Sequence, residues 1–493
     1  MTNRSAGIFL HLTSLPGNFG VGDLGYEAKK FIDLLSNNSV KIWQVCPINP
    51  TGYGDSPYSA PCASAGNPLL ISLELLRDWG YLKDSDLGGF PKFSLKFVEF
   101  DKVREAKEKL LKKAFTNFKP TKDYENFCRD ESDWLEPYIL FLSLSNKFKT
   151  LCWSDWDKDF AKYDIKILEK YAAENKKELD YHRFVQFIFH SQWFDMKEYA
   201  NLRGVKIFGD VPYYVSYESS DVWSNQDIFE LDKNGKMLRV GGVPPDYFSE
   251  DGQLWGTPLY RWEKIKKSGY DWWLKRMKAA FFYNDIVRID HFRAFEAFWA
   301  IDGKAKTAKV GIWEKGPGND FFTVIKEKLK GIELIAEDLG IITEEVNKLR
   351  DSENLCGMKV FQFAFDGNRD NYYLPYNCPQ QSVMYSGTHD NDTILGWYRE
   401  LDENTKTRVK NYIGEKSDDE NKILAKITRE VLAATSIYAV LQLPDLLGLG
   451  SEARFNIPGT VGGKNWAWRF EWGDIGKNTF PELKELIKIF GRD

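Results

Sequence analysis

Val287-Arg288-Ile289-Asp290-His291-Phe292-Arg293 closes an apolar run that begins at residue 285 and reads as a strand ending in charge. Residues i and i+2 of a strand share a face, so Arg288 and Asp290 project together. The cation would hold the acid ionised and oriented, which a carboxylate nucleophile requires. Two more acid sites close similar runs: Ala336-Glu337-Asp338-Leu339-Gly340, and Gly387-Thr388-His389-Asp390-Asn391-Asp392.

Working outward, short apolar runs recur at 8–12, 42–47, 205–211, 285–290, 332–337, 358–363, 383–388 and 438–443. Amphipathic Lys/Glu-rich stretches such as 322–330 and 344–350 lie between them and read as helices. Strand alternating with helix implies a parallel sheet, and eight units imply an α/β fold of the closed (β/α)8 TIM-barrel type. The later runs end in Asp210, Asp290, Glu337, His389 and Asp390, which such a barrel gathers on one face. An open doubly wound sheet is the alternative, but no Gly-rich phosphate loop follows the first run. The spacing is uneven. We expect one catalytic barrel over 1–493, a mainly helical insertion at about 70–200 between strands 2 and 3, and a second at about 217–284. The second contains Gly241-Gly242-Val243-Pro244-Pro245-Asp246-Tyr247-Phe248, whose Gly and Pro density marks an ordered loop within 241–257. No separate C-terminal β-domain is expected.

Composition narrows the function. The 493 residues are 43% apolar, enough for a large core, and carry a net charge of −5. That balance argues against nucleic acid or an anionic membrane as partner. The six cysteines form no CxxC pair, which favours a reducing compartment over a disulfide framework. The N-terminal residues lack the apolar segment of a signal peptide, and no run reaches the ~20 apolar residues of a membrane span. We expect a soluble, cytoplasmic protein. Five scattered histidines argue against a zinc site, and the acids at 390–392 lack EF-hand spacing, so no metal is expected. The 17 Trp, 24 Tyr and 34 Phe would serve either a large core or stacking on the apolar faces of sugars.

A family resemblance joins these fragments. Pro50-Thr51-Gly52-Tyr53-Gly54-Asp55-Ser56-Pro57-Tyr58, followed by Ala65-Gly66-Asn67-Pro68, resembles the N-terminal signature of amylomaltases, the 4-α-glucanotransferases or disproportionating enzymes of the α-amylase clan. Similar segments follow in family order: Gly209-Asp210-Val211-Pro212, 244–255, 288–293, 336–340, 387–397 and Arg454-Phe455-Asn456-Ile457-Pro458-Gly459. Ala294 stands where the pattern has Gly, and Thr257 where it has Asn, leaving acceptor preference open.

The resemblance implies Asp290 as nucleophile, Glu337 as general acid/base and Asp390 as stabiliser of the oxocarbenium-like ring. A retaining glycosidic mechanism needs one ionised carboxylate and one protonated acid. Partial burial and the like charge of Asp338 would both raise the Glu337 pKa. Without the resemblance, Asp290 reads rather as a strand-end ion pair, Glu337 as a helix N-terminal acid, and Asp390 as a turn cap; the family match reverses that order. The family pattern further implies that Asp210 pairs with Arg288, that Tyr58 is a stacking platform, and that His291 and His389 contact sugar hydroxyls. Tyr247, Phe248, Gln253 and Trp255 would cover the cleft, although aromatics such as Phe248 and Trp255 ordinarily pack in a core. Asp366 and Asn456 are further candidates for hydroxyl contacts.

Malto-oligosaccharides and α-1,4-glucans are the implied donors and acceptors, with no cofactor. An α-1,4-glucan hydrolase of the same clan and a catalytically silent glucan-binding protein are the alternatives. The second would have lost a carboxylate; Asp290, Glu337 and Asp390 are all present.

Overall fold

The computed structural model describes residues 4–245 and 250–493. The eight apolar runs form one parallel sheet: β1 Ser5–Phe9, β2 Ile42–Gln44, β3 Lys206–Val211, β4 Ile286–Ile289, β5 Leu334–Ala336, β6 Gly357–Val360, β7 Ser382–Tyr385 and β8 Tyr438–Gln442. Pairing follows chain order from β1 to β5 and from β6 to β8, and β8 returns to β1. The gap between β5 and β6 is crossed by a parallel bridge from Ile335 to Cys356, where the Ala336 N–H donates to the Cys356 carbonyl at 2.8 Å. The sheet is a closed (β/α)8 barrel, and the β8–β1 pairing excludes the open alternative.

The strands read as unbroken apolar runs because both of their faces are covered. Ile8, Val287, Ile335, Met358, Val383 and Val440 are all fully buried. The first strand starts earlier than its apolar run, at Ser5, because Ser5 and Ala6 are in register with Tyr438 and Ala439 of β8. Leu12 instead opens a 3-10 turn, Leu12–Ser14.

Between β2 and β3 the chain is helical, including Phe100–Asn117, Ser132–Phe148 and the long Lys176–Leu202, which packs back against β3. Beyond the barrel a four-stranded antiparallel sheet runs in the order Gln253–Pro258, Arg239–Val243, Ala297–Asp302, Ile312–Lys315. The glycines at 241 and 242 therefore lie in a strand, not in the loop their composition implies. A Cβ at Gly241 would stand 2.6 Å from the Tyr214 ring, so this strand needs glycine to admit the aromatic behind it. After β8 the chain forms short helices and turns and ends in the helix Thr479–Ile489.

The end of the barrel opposite the acid-bearing loops is sealed by Arg492, which is fully buried. Its guanidinium donates to the carbonyls of Leu432 at 2.6 Å, Ala434 at 2.7 Å and Ser436 at 3.1 Å, with longer bonds to Ser5 and Ile437. All six cysteines are free. Among the described residues no helix is long and apolar enough to cross a membrane.

Candidate active site

The barrel register builds the site's first element. Asp210 on β3 is the direct register partner of Arg288 on β4, so their side chains meet at the same level. Arg288 Nη1 binds Asp210 Oδ2 at 2.7 Å and Nη2 binds Asp290 Oδ1 at 2.9 Å. Arg288 and Asp210 are buried, with side chains 6% and 2% exposed, while Asp290 remains 30% exposed. One guanidinium thus holds a hidden carboxylate on one side and an accessible one on the other. Burial opposes the charge of Arg288, but Asp210 and Asp290 outweigh it and raise its pKa well above the ordinary value. The Tyr58 hydroxyl donates to Asp210 Oδ2 at 2.8 Å, and the Tyr58 ring stacks on His389 with centroids 4.9 Å apart.

Glu337 follows β5, and its N–H donates to the Ile289 carbonyl at 3.1 Å, which places it beside the end of β4. Its carboxyl accepts two backbone N–H groups, from His291 to Oε2 and from Leu339 to Oε1, each at 2.8 Å. The His291 bond forms where the chain turns left-handed, at φ 50°. Burial pushes the Glu337 carboxyl up to about 7, Arg288 opposes the shift, and Asp290 reinforces it. Asp338 adds least. Its carboxylate faces away, accepting the Met358 N–H at 2.6 Å and pairing with Arg350 and Lys359. Burial, not the adjacent acid, is therefore the main cause of the Glu337 shift.

His291 is neutral, its pKa lowered to about 4 by burial. Among the described residues its buried Nε2 has no hydrogen-bond partner, and its ring meets Trp255 nearly perpendicularly at 4.8 Å. On the opposite side, Asp390 Oδ1 accepts from Asn456 Nδ2 at 2.7 Å and Oδ2 lies 3.4 Å from His389 Nε2. Burial works against the Asp390 charge, but His389 and then Asn456 hold the carboxylate well below the usual range. The same contact raises the His389 pKa against the effect of burial.

The structure therefore brings Tyr58, Asp210, Trp255, Arg288, Asp290, His291, Glu337, His389, Asp390 and Asn456 into one connected cluster at the C-terminal end of the barrel. Gln253 joins through its side-chain oxygen, which accepts the Trp255 indole N–H at 3.1 Å. Asp366 stands apart: it is exposed and closes a local turn on the Asn368 N–H at 2.8 Å. Tyr247 and Phe248 lie outside the described residues. Among the described residues no group of three or more His, Cys, Asp and Glu side chains is placed to hold a metal ion.

Residues 10–474 match the family described as 4-alpha-glucanotransferase. The 4-alpha-glucanotransferases of Synechocystis sp. and Thermus thermophilus are each 42% identical to this chain, over 100% and 99% of it and 99% of each relative. The chain belongs to the 4-α-glucanotransferase family. The amylomaltase of Streptococcus agalactiae, solved in complex with acarbose, is 35% identical and matches with a TM-score of 0.95 over 99% of both chains. The amylomaltase of Corynebacterium glutamicum shares the fold at 15% identity, with a TM-score of 0.81 over 99% of this chain and 75% of that one.

Three members of the cluster escaped the sequence reading of this 4-α-glucanotransferase family site. Tyr214 stacks on the His291 ring at 6.2 Å with the planes inclined by 30°, and meets Trp255 at 5.9 Å. Arg454 donates to the Asp390 carbonyl at 2.6 Å, and Trp466 packs 5.7 Å from His389. Arg454 stands two residues before Asn456 and could have been found by that spacing. Tyr214 and Trp466 carry no such signal among so many aromatics.

Proposed function

We propose that the chain is a 4-α-glucanotransferase moving α-1,4-glucan segments between malto-oligosaccharides by retaining double displacement. Asp290, held by Arg288, attacks the anomeric carbon while Glu337 protonates the departing glycosidic oxygen. The C–O bond to the leaving chain breaks and a glucosyl–Asp290 ester forms. Glu337, now ionised, then takes the proton from an acceptor 4-hydroxyl, whose oxygen displaces Asp290 and restores the original configuration. Asp390 and His389 bind sugar hydroxyls and favour the flattened ring of the transition state. Asp210 and Tyr58 fix Arg288 and the floor of the donor sugar. Tyr247, Phe248, Gln253 and Trp255 contact donor or acceptor sugar, and His291 and Asn456 supply further hydroxyl contacts. No cofactor enters this scheme. The same reading takes 1–493 as one catalytic barrel with insertions at about 70–200 and 217–284. Its six free thiols fit a reducing compartment, and we assign it to the cytoplasm.

The observation that carries the scheme is the contrast between two neighbouring carboxyls. Asp290 shares a buried guanidinium, whereas burial pushes Glu337 up to about 7. Environments that separate two acids in this way suit one to attack and the other to proton transfer. Incubation with maltotriose tests it. Transfer yields glucose and a ladder of longer chains at a constant number of reducing ends. Rising reducing ends with no product longer than maltotriose would identify a hydrolase instead.

A further inference from the structure

The loop that carries His389 and Asp390 leaves the barrel at the end of β7 and enters the helix Ile394–Glu400. A single carboxylate from the next barrel unit grips both of its ends. Asp445, in the short helix Leu443–Leu446 after β8, is 1% exposed. Its Oδ2 accepts the Ser386 hydroxyl at 2.6 Å, and its Oδ1 accepts the Ile394 N–H at 2.7 Å. Ser386 in turn accepts the Gln442 N–H at 3.0 Å, so the grip is anchored in β8 itself. The middle of the loop is braced from behind. Gln362 and Gln442 donate to the Asp392 carbonyl at 2.7 and 3.4 Å, and the Gln442 amide occupies the place a side chain at 387 would need.

Asp445, Ser386 and Gln442 are all buried, 1%, 1% and 0% exposed, and their hydrogen bonds run to the ends and back of the loop rather than to the carboxylates of Asp290, Glu337 or Asp390. We propose that Asp445 is a positioning residue for glucan transfer: by fixing the span from Ser386 to Ile394 it sets where the Asp390 carboxylate meets the distorted sugar. The inference rests on the assignment of Asp390 above. Small displacements matter here, because hydroxyl contacts that strengthen in the transition state depend on geometry held to fractions of an ångström.

The hydrogen-bond pattern says what Asp445 must supply. Burial pushes its carboxyl up to about 7 against the two hydrogen bonds, with Asp392 adding to the shift. When ionised, it accepts from both Ser386 and Ile394. When protonated, it donates to the Ser386 oxygen and still accepts from Ile394. The clamp needs one acceptor toward Ile394 and a hydrogen-bonding atom toward Ser386, not a charge. Asparagine offers that pattern and alanine does not.

The test uses the full chain, with Asp445→Ala, Asp445→Asn and Ser386→Ala made alone and in an Asp390→Asn background. Maltotriose disproportionation gives kcat and KM, and a thermal melt reports folding. Asp445→Ala is expected to lower kcat roughly tenfold or more with KM within about twofold. Asp445→Asn should stay within about threefold of the parent, and Ser386→Ala should fall between them. In the Asp390→Asn background Asp445→Ala should add less than about a twofold loss, because its effect passes through a group already removed. A merely structural role would instead multiply through unchanged, and that result overturns the proposal. So does parental kcat in Asp445→Ala, or an Asn variant as slow as Ala. If Asp445→Ala does not fold, Ser386→Ala decides alone: a lowered kcat in the parent that vanishes with Asp390→Asn supports the clamp, and a parental kcat overturns it. Parental turnover in Asp390→Asn by itself would overturn the assignment of Asp390, which distinguishes that failure from failure of the clamp.

Discussion

At the catalytic end of the barrel Arg288 lies buried between two carboxylates; at the opposite end Arg492 lies buried among carbonyl oxygens and the Ser436 hydroxyl. The chemistry of the side chain is the same, and its surroundings send it in opposite directions. Carboxylate partners raise the Arg288 pKa well above the ordinary value, whereas burial without a counter-charge lowers that of Arg492 to about 9. The first arginine is one part of a charged array whose other side stays open to solvent at Asp290. The second shares with Arg4 the buried carbonyls of Leu432, Ala434 and Ser436, where the helix Glu420–Ala433 runs into β8. Chemistry and stability are thus placed at separate ends, as the barrel architecture favours.

Substitutions at the two ends should separate these properties. The largest effect is expected from Asp290→Asn, which removes the proposed nucleophile but keeps a hydrogen-bonding atom toward Arg288: kcat on maltotriose should fall about 10⁴-fold or more with little change in melting temperature. Glu337→Gln should cost about 10³-fold, and a glucosyl donor with a leaving group that needs no protonation should recover its first half-reaction. Measurable burst formation of the ester from such a donor checks this.

At the far end, Arg492→Met should destabilise the fold by about 2 kcal/mol, since the buried carbonyls of Leu432, Ala434 and Ser436 lose one of the donors they share with Arg4. Turnover per folded molecule should stay parental; a matching loss of kcat would end the separation drawn here. The finest test is pH. With Glu337 near 7, kcat for the proton-donating step should fall about tenfold per unit above that value. Folding raises this group's pKa from 4.5, so the stability it contributes is intact below 4.5 and lost as pH rises through about 7. Denaturation midpoints of Glu337→Gln should therefore gain on the parent between those values, and a constant difference would place the titration on another group.

Most of the barrel was legible because parallel strands covered on both faces must read as apolar runs, and all eight did. The charged ends of those runs located Asp210, Asp290, Glu337 and Asp390 for the same reason. What periodicity could not convey was tertiary contact. Arg239–Val243 pairs as a strand with Gln253–Pro258 and Ala297–Asp302 while Tyr214 fills the space Gly241 leaves, and nothing local to residue 241 records those partners or that ring. Asp338 read as an electrostatic neighbour of Glu337, yet it points the other way, toward Met358, Arg350 and Lys359. Adjacency in a chain says little about adjacency of charges once a strand has ended. Trp466 reaches His389 from the far end of the sequence, with no spacing to announce it.

That orientation of Asp338 has a mechanical consequence. The barrel wall is thinnest between β5 and β6, where one bridge replaces a ladder, and the Asp338 carboxylate takes up the Met358 N–H that the ladder leaves over. The clasp on the weakest stave of the cask is the very next residue after Glu337. Any fluctuation that springs the wall must drag the proposed proton donor with it, so a heated sample should lose turnover at the first loosening, before the rest of the cask comes apart.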